Sequence, residues 1–82
     1  MSTPSTRVVE VREASDLGRA IAAARAARGW RQQDLAEQAG IDRTYLARLE
    51  AGATSLLIER GLRALRRMGA TVTVTIPVED DG

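Results

Sequence analysis

QQDLAEQAGIDRTYLARLEAG, residues 32–52, decides how this chain of 82 residues folds. Leu35, Ala36 and Ala39 follow helical spacing, and Ile41, Leu46 and Leu49 resume it. Gly40 interrupts the pattern between them, where an uninterrupted helix loses about 1 kcal/mol relative to Ala. Glycine does supply a left-handed backbone at no steric cost, so it can end one helix and redirect the chain into another. Asp42, two residues on, has the acceptor oxygen that starts a helix. The segment therefore reads as two short helices, 32–39 and 42–51, joined by a tight turn.

Two short helices joined in this way form a helix-turn-helix. At 100° per residue, with Leu46 taken as inward, Leu49 and Asp42 fall within about 60° of it and Glu50 within about 40°. Thr44, Ala47, Arg48 and Ala51 fall more than about 90° from it, flanked by Tyr45 at about 100° and by Arg43, which lies about 60° from Leu46. That outward set has small residues in the middle, long donors beside them and no carboxylate. A helix entering a DNA major groove needs this combination: close approach, reach to base edges and no repulsion from phosphates. An ordinary solvated face usually mixes in glutamates, and this one has none. Glu50 points inward, and a buried carboxylate needs a cation. Arg25, one turn before Gly29, is the candidate partner.

Outward from this motif, SDLGRAIAAARAARG predicts a helix over 16–28, with Ser15 or Asp16 as N-cap and Gly29 ending it. Trp30, the single tryptophan, is expected to plug the junction with the next helix. Arg31 offers no acceptor oxygen and is a poor N-cap. LLIERGLRALRRM predicts a helix over 56–68, capped by Thr54 or Ser55, with an apolar stripe of Leu57, Ile58, Leu62 and Leu65 and with Gly61 inside it at a cost of about 1 kcal/mol against Ala. RVVEVR, 7–12, reads as a strand, as does the alternation of Val72, Val74 and Ile76 with threonines in 70–76. Residues 1–6 are expected to be disordered and 79–82 to form an acidic tail. The fold class is therefore mainly α: one domain over 7–78, a small helical bundle with a helix-turn-helix of four to five helices, a C-terminal strand and an N-terminal strand.

Composition narrows the functions. The chain has no Cys and no His, which removes disulfides, thiolate and imidazole metal sites and the commonest general base. No enzyme, metal or cofactor is expected. The formal charge of +1 includes Glu79, Asp80 and Asp81, without which the body carries +4. All 12 basic residues are Arg, which pairs bidentately with phosphate and guanine; codon bias in a GC-rich genome would produce the same absence of Lys. No run approaches 18 apolar residues, and MSTPSTR is no signal peptide, so a cytoplasmic, nucleoid-associated protein with no membrane contact is expected.

The stretches IAAARAARGWRQQDLAEQAGI and DRTYLARLEAG resemble the lambda-repressor/Cro-like helix-turn-helix proteins, the XRE family, over about residues 17–69. The combination of Gln at the second helix start, Leu-Ala, Gly-Ile, Tyr-Leu and Leu-Glu-x-Gly carries the likeness. The resemblance implies that Gln32 touches a phosphate and that Arg43 and Thr44 read bases. It also implies that Tyr45 contacts backbone or base and that Arg48 is a further major-groove contact. Arg25 and Glu50 match an interhelical ion pair of the family. Arg31 departs from the usual Thr or Ser, which implies either a weaker second helix or a phosphate contact from Arg31 instead.

A helix-turn-helix followed by LRRMGATVTVTI is similar to the HipB-type antitoxins. That likeness implies a homodimer whose C-terminal strands pair through Val72, Val74 and Ile76, giving an intersubunit sheet. It also implies an inverted-repeat operator in double-stranded DNA and a HipA-like serine/threonine kinase toxin as partner. The alternatives are a stand-alone regulator of the same family without a toxin, and an antitoxin acting mainly through protein contacts.

Overall fold

Acidic side chains set where the helices begin. Asp16 Oδ2 accepts the backbone N–H groups of Arg12 and Glu13 at 3.0 and 2.9 Å. Glu13 is therefore the N-cap, and helix α1 runs Ala14–Ala27, starting two residues before the spacing predicts. Ser15 and Asp16 belong to its first turn. The carboxylate at the third helical position takes the role assigned to a conventional cap. Asp34 repeats this for helix α2 (Gln32–Ala39), accepting the Arg31 backbone N–H at 2.8 Å. This compensates for the missing acceptor on Arg31. Asp42 caps helix α3 (Arg43–Glu50) directly, accepting from the N–H groups of Thr44 and Tyr45 at 2.8 and 3.2 Å. Ser55 caps helix α4 (Leu56–Arg67) through Ile58 N–H at 3.3 Å.

The computed structural model describes residues 5–78. Strand β1 (Ser5–Glu10) and strand β2 (Thr73–Val78) bracket the four helices and pair with each other, antiparallel, within the chain. The register sets Val9 opposite Val74 and Arg7 opposite Ile76. Both strands are shifted from the predicted bounds of 7–12 and 70–76. Ser5 and Thr6, expected to be disordered, pair with Val78 and Pro77. Pro77 fits because a two-stranded sheet has only edge strands, where a missing N–H costs nothing. Residues 1–4 and the acidic tail, 79–82, lie outside the described residues.

Helix α1 is the hub, touching α3, α4 and the sheet. Leu46 and Ile76 are the largest fully buried side chains, at 1% and 2% exposure, with Val11, Ala14, Ala20 and Ala36 buried around them. Small residues on α1 allow the helices close approach, so a core poor in large side chains still packs. Burying one Leu contributes about 2 kcal/mol, so Leu46 is the main apolar anchor of α3. The rim is different. No residue of α4 is buried; Leu62 and Leu65 are half-buried, while Leu57 and Met68 lie in the open. An Arg66 guanidinium N–H donates to the Arg12 carbonyl and ties α4 to the β1–α1 connection. Among the described residues no helix is long and apolar enough to cross a membrane.

Candidate nucleic-acid interface

Gly40 ends α2 in the left-handed conformation, φ 68°, as the helix-turn-helix reading requires. Its turn is closed by Ile41 N–H donating to the Ala36 carbonyl at 3.0 Å. Helix α3 then starts in a new direction, and its sidedness follows from Leu46. With that side chain buried, Arg43, Thr44, Tyr45 and Arg48 are all exposed, Tyr45 at 63%. Among the described residues neither Arg43 nor Arg48 belongs to an ion pair. Ala47, placed outward by the helical angle, is half-buried, and Ile41 is more exposed than a residue packed in the turn would be.

A clamp on the opposite side fixes the orientation of α3. Arg25 Nε and Nη2 donate to Glu50 Oε2 and Oε1, both at 2.9 Å. The Glu50 side chain is 6% exposed and that of Arg25 21%. Arg25 Nη1 also donates to the Trp30 carbonyl at 2.8 Å, so one guanidinium joins α1, the α1–α2 turn and α3. Hydrogen bonds from Arg25, and secondarily from Gln32, hold the Glu50 carboxyl below its ordinary pKa against the opposing effect of burial. The same pairing raises that of Arg25. Trp30 is half-buried with the Arg28 guanidinium 4.6 Å from its ring centre, a cation–π contact at the helix junction.

Two residues sit differently from a simple row of phosphate contacts. Gln32 Nε2 donates to Glu50 Oε1 at 3.2 Å, so this side chain is the third arm of the clamp. Arg31 is exposed and engages Asp34 at 3.3 Å. Neither lies on α3, and both stand at the start of α2 beside the clamp. Val72 and Val74 are half-buried and Ile76 belongs to the chain's own core.

A shallow groove of about 250 Å³ runs along the exposed side of α3, lined by Tyr45, Arg48, Leu49, Thr54, Ser55 and Ile58. It brings two hydroxyl residues, read from sequence only as caps of α4, next to the arginine and tyrosine of α3. The signal available in sequence was their place at a helix N-terminus, where N–H groups favour anions. The outward face of α3 thus combines two guanidinium groups, a phenol and a hydroxyl on a rigid rod. It presents no carboxylate from within that helix.

The family model described as Helix-turn-helix (HTH_3) matches residues 21–73, well over half of the chain and the whole of α2, α3 and α4. No curated protein gives a significant match, and neither does any solved structure. The matched span contains the Gly40 turn, the Arg25–Glu50 clamp and the exposed face of α3, and the chain belongs to the XRE-type helix-turn-helix family of DNA-binding regulators.

Proposed function

We propose that the protein is a sequence-specific repressor that binds an inverted-repeat operator as a homodimer. The observation that carries this reading is the exposed set Arg43, Thr44, Tyr45 and Arg48, in no ion pair among the described residues and backed by the Arg25–Glu50 clamp. Arg43 and Thr44 at the N-terminal end of α3 reach base edges, Arg48 follows one turn on, and Tyr45 lies toward the backbone. Gln32 keeps a second N–H for a phosphate while its first holds Glu50. Arg31 adds a phosphate contact at the cost of its exposed pair with Asp34, which contributes little. Two copies place their α3 helices in successive major grooves, so half-sites lie about 34 Å apart or a multiple of that. In the shared sheet, Val72 and Val74 and the unpaired edge of β2 are the contact. Ile76 supports them from inside its own chain.

We further propose that this regulator is the antitoxin of a HipBA-like operon, repressing its own promoter and binding a HipA-like serine/threonine kinase toxin. It would act on cytoplasmic, nucleoid-associated DNA. The support is strand β2, which closes the helix-turn-helix domain after α4, an arrangement similar to the HipB-type antitoxins. Selection of bound duplexes from a random pool tests the first proposal: enrichment of a palindrome supports it, and binding without sequence preference overturns it. Co-expression with the neighbouring gene tests the second. A stable complex with a kinase-sized product supports it; a protein that binds its operator and no neighbour's product is a stand-alone regulator.

A further inference from the structure

Strands β1 and β2 pair through only half of their backbone groups. Val11 N–H donates to the Val72 carbonyl at 2.8 Å, and the register carries this pairing on to Val9 with Val74 and Arg7 with Ile76. Hydrogen-bonded pairs alternate along an antiparallel ladder, so Thr6, Val8 and Glu10 turn their N–H and C=O groups away from β2. Among the described residues none of these groups has a hydrogen-bond partner. The row stops at Arg12, whose N–H donates to Asp16 Oδ2 at 3.0 Å and whose carbonyl accepts from Arg66. On the other edge of the sheet, Thr73 and Thr75 keep their N–H groups, enough for the homodimer contact proposed above, and Pro77 ends that row without a donor. The β1 edge has no proline, and Val8, on the face away from the buried Ile76, is 61% exposed.

We infer that this edge takes an extended segment of a different protein as a third strand, antiparallel, with side chains in the order basic, β-branched, β-branched, acidic. Main-chain hydrogen bonds hold a strand added in this way, and the side chains beside them select it. Along β1 the order is Arg7, Val8, Val9, Glu10. Arg7 and Glu10 belong to no ion pair among the described residues. An antiparallel neighbour therefore gains by setting an acid beside Arg7, a base beside Glu10 and β-branched residues beside Val8 and Val9.

A second copy of β1 carries these side chains in this order and cannot use them. Two β1 edges share hydrogen bonds only where even-numbered residues of one face even-numbered residues of the other. Setting Arg7 of one copy opposite Glu10 of the other pairs odd with even, so each strand turns bonding groups toward a residue whose own groups face β2. The registers that satisfy the backbone set Arg7 opposite Arg7, Val9 or Val11 and leave the charges unmatched. With the β2 edges already joined, β1-to-β1 pairing would also extend the sheet without limit instead of closing the assembly. A foreign strand carries its charges in either backbone phase and meets neither obstacle.

Neither DNA nor the operator reading enters the test. The probe is the acetylated, amidated peptide Thr-Lys-Thr-Val-Glu-Thr, added to the isotope-labelled full chain. Its valine falls opposite Val8 and its lysine opposite Glu10. The amide resonances of Thr6, Val8 and Glu10 should shift more than those of Arg7 and Val9, saturating by about 1 mM peptide. N-methylation of the peptide's valine removes a donor that faces β1 and should weaken binding about tenfold or more. N-methylation of the threonine before it, whose N–H faces away, should not. Exchanging the peptide's lysine and glutamate should weaken binding about fivefold. Val8→Pro removes an outward N–H and no bond to β2, so it should abolish binding while circular dichroism stays as in the wild type. Thr73→Pro, the equivalent change on the β2 edge, should leave peptide binding intact. Absent shifts, shifts confined to Thr73 and Thr75, equal binding of the two N-methyl peptides, or binding retained by a folded Val8→Pro variant would overturn the added strand. Self-association lost on Val8→Pro would place a second copy on this edge and overturn it as well.

Discussion

Gly18 of α1 lies flush against the carbonyl of Leu49 in α3: a methyl group built there overlaps the carbonyl oxygen and comes within 3.3 Å of the Glu50 Cα. Together with the Arg25–Glu50 pair farther along α1, this contact holds the end of α3 at two points. A rod held at two points cannot swivel about one of them. The outward aim of Arg43 and Arg48 therefore depends on a residue that touches no DNA.

Gly18→Ala should accordingly be among the most damaging small substitutions. The opposing atoms are backbone and cannot step aside, so α1 and α3 must separate. The cost should be about 3 kcal/mol, at the upper end for inserting a methyl group into a packed contact. In a domain this small that lowers Tm by roughly 15 °C. Thermal unfolding followed by circular dichroism measures it. Gly61→Ala, where space is open, should leave the stability of the fold unchanged or slightly higher by the same measurement.

Breaking the clamp has a different signature. Arg25→Ala leaves the Glu50 carboxylate, 6% exposed, with Gln32 alone. The loss should be about 3 kcal/mol, the low end for a buried pair, because Arg25 keeps some contact with water. Gln32→Ala should cost less, about 1 kcal/mol, by removing one hydrogen bond. Urea titrations of the two variants against the wild type decide it. Equal stability of Arg25→Ala and wild type would mean the pair does not hold the helices.

Acid should unfold the protein through the same carboxylate. Folding lowers the pKa of Glu50 from its ordinary 4.5, chiefly through Arg25, so the native state favours the charged form. The resulting stabilisation is complete above the ordinary value and is lost as pH falls through the lowered one. Asp34, held down by the Arg31 backbone N–H, and Asp16, held down by those of Glu13 and Arg12, act in the same direction below about 3.8. Urea midpoints between about pH 7 and 3 should fall steeply below pH 4.5. Glu50→Gln should be less stable at neutral pH and less sensitive to acid.

DNA affinity should fall steeply with salt. If each dimer neutralises about 6–10 phosphates, log K against log salt has a slope of about −5 to −9. Arg31→Ala should make that slope shallower by about one for every phosphate left without its arginine, and base preference should stay as it is. Fluorescence anisotropy over a salt series checks both.

The helix-turn-helix was legible in the sequence because each signal acts locally. Gly40 must take a left-handed backbone, Asp42 must accept N–H groups, and Leu46 must turn inward. The Arg25–Glu50 pair was also legible, because a carboxylate on the buried side of a helix has few possible partners. The Gly18–Leu49 contact was not, since a glycine within an alanine-rich helix gives no hint of which backbone will approach it. The starts of α1 and α2 were misplaced or left weak for a related reason: an aspartate three residues inside a helix can cap it as well as one in front of it. The dual role of Gln32 depends on the distance between the start of α2 and the end of α3, which only the folded turn sets. The exposure of Leu57, beside the half-buried Leu62 and Leu65, was equally hidden, because helical spacing reports that a side is apolar and not whether anything covers it.

Selection of duplexes from a random pool by wild type, Arg43→Ala, Arg48→Ala and Gln32→Ala measures most directly whether the exposed side of α3 reads bases. The two arginine variants should each change the preferred base at defined, symmetric positions of the site, losing about 1–3 kcal/mol of discrimination there. Gln32→Ala should weaken all sequences alike. An unchanged preferred sequence in both arginine variants would contradict the assignment of α3 as the reading helix.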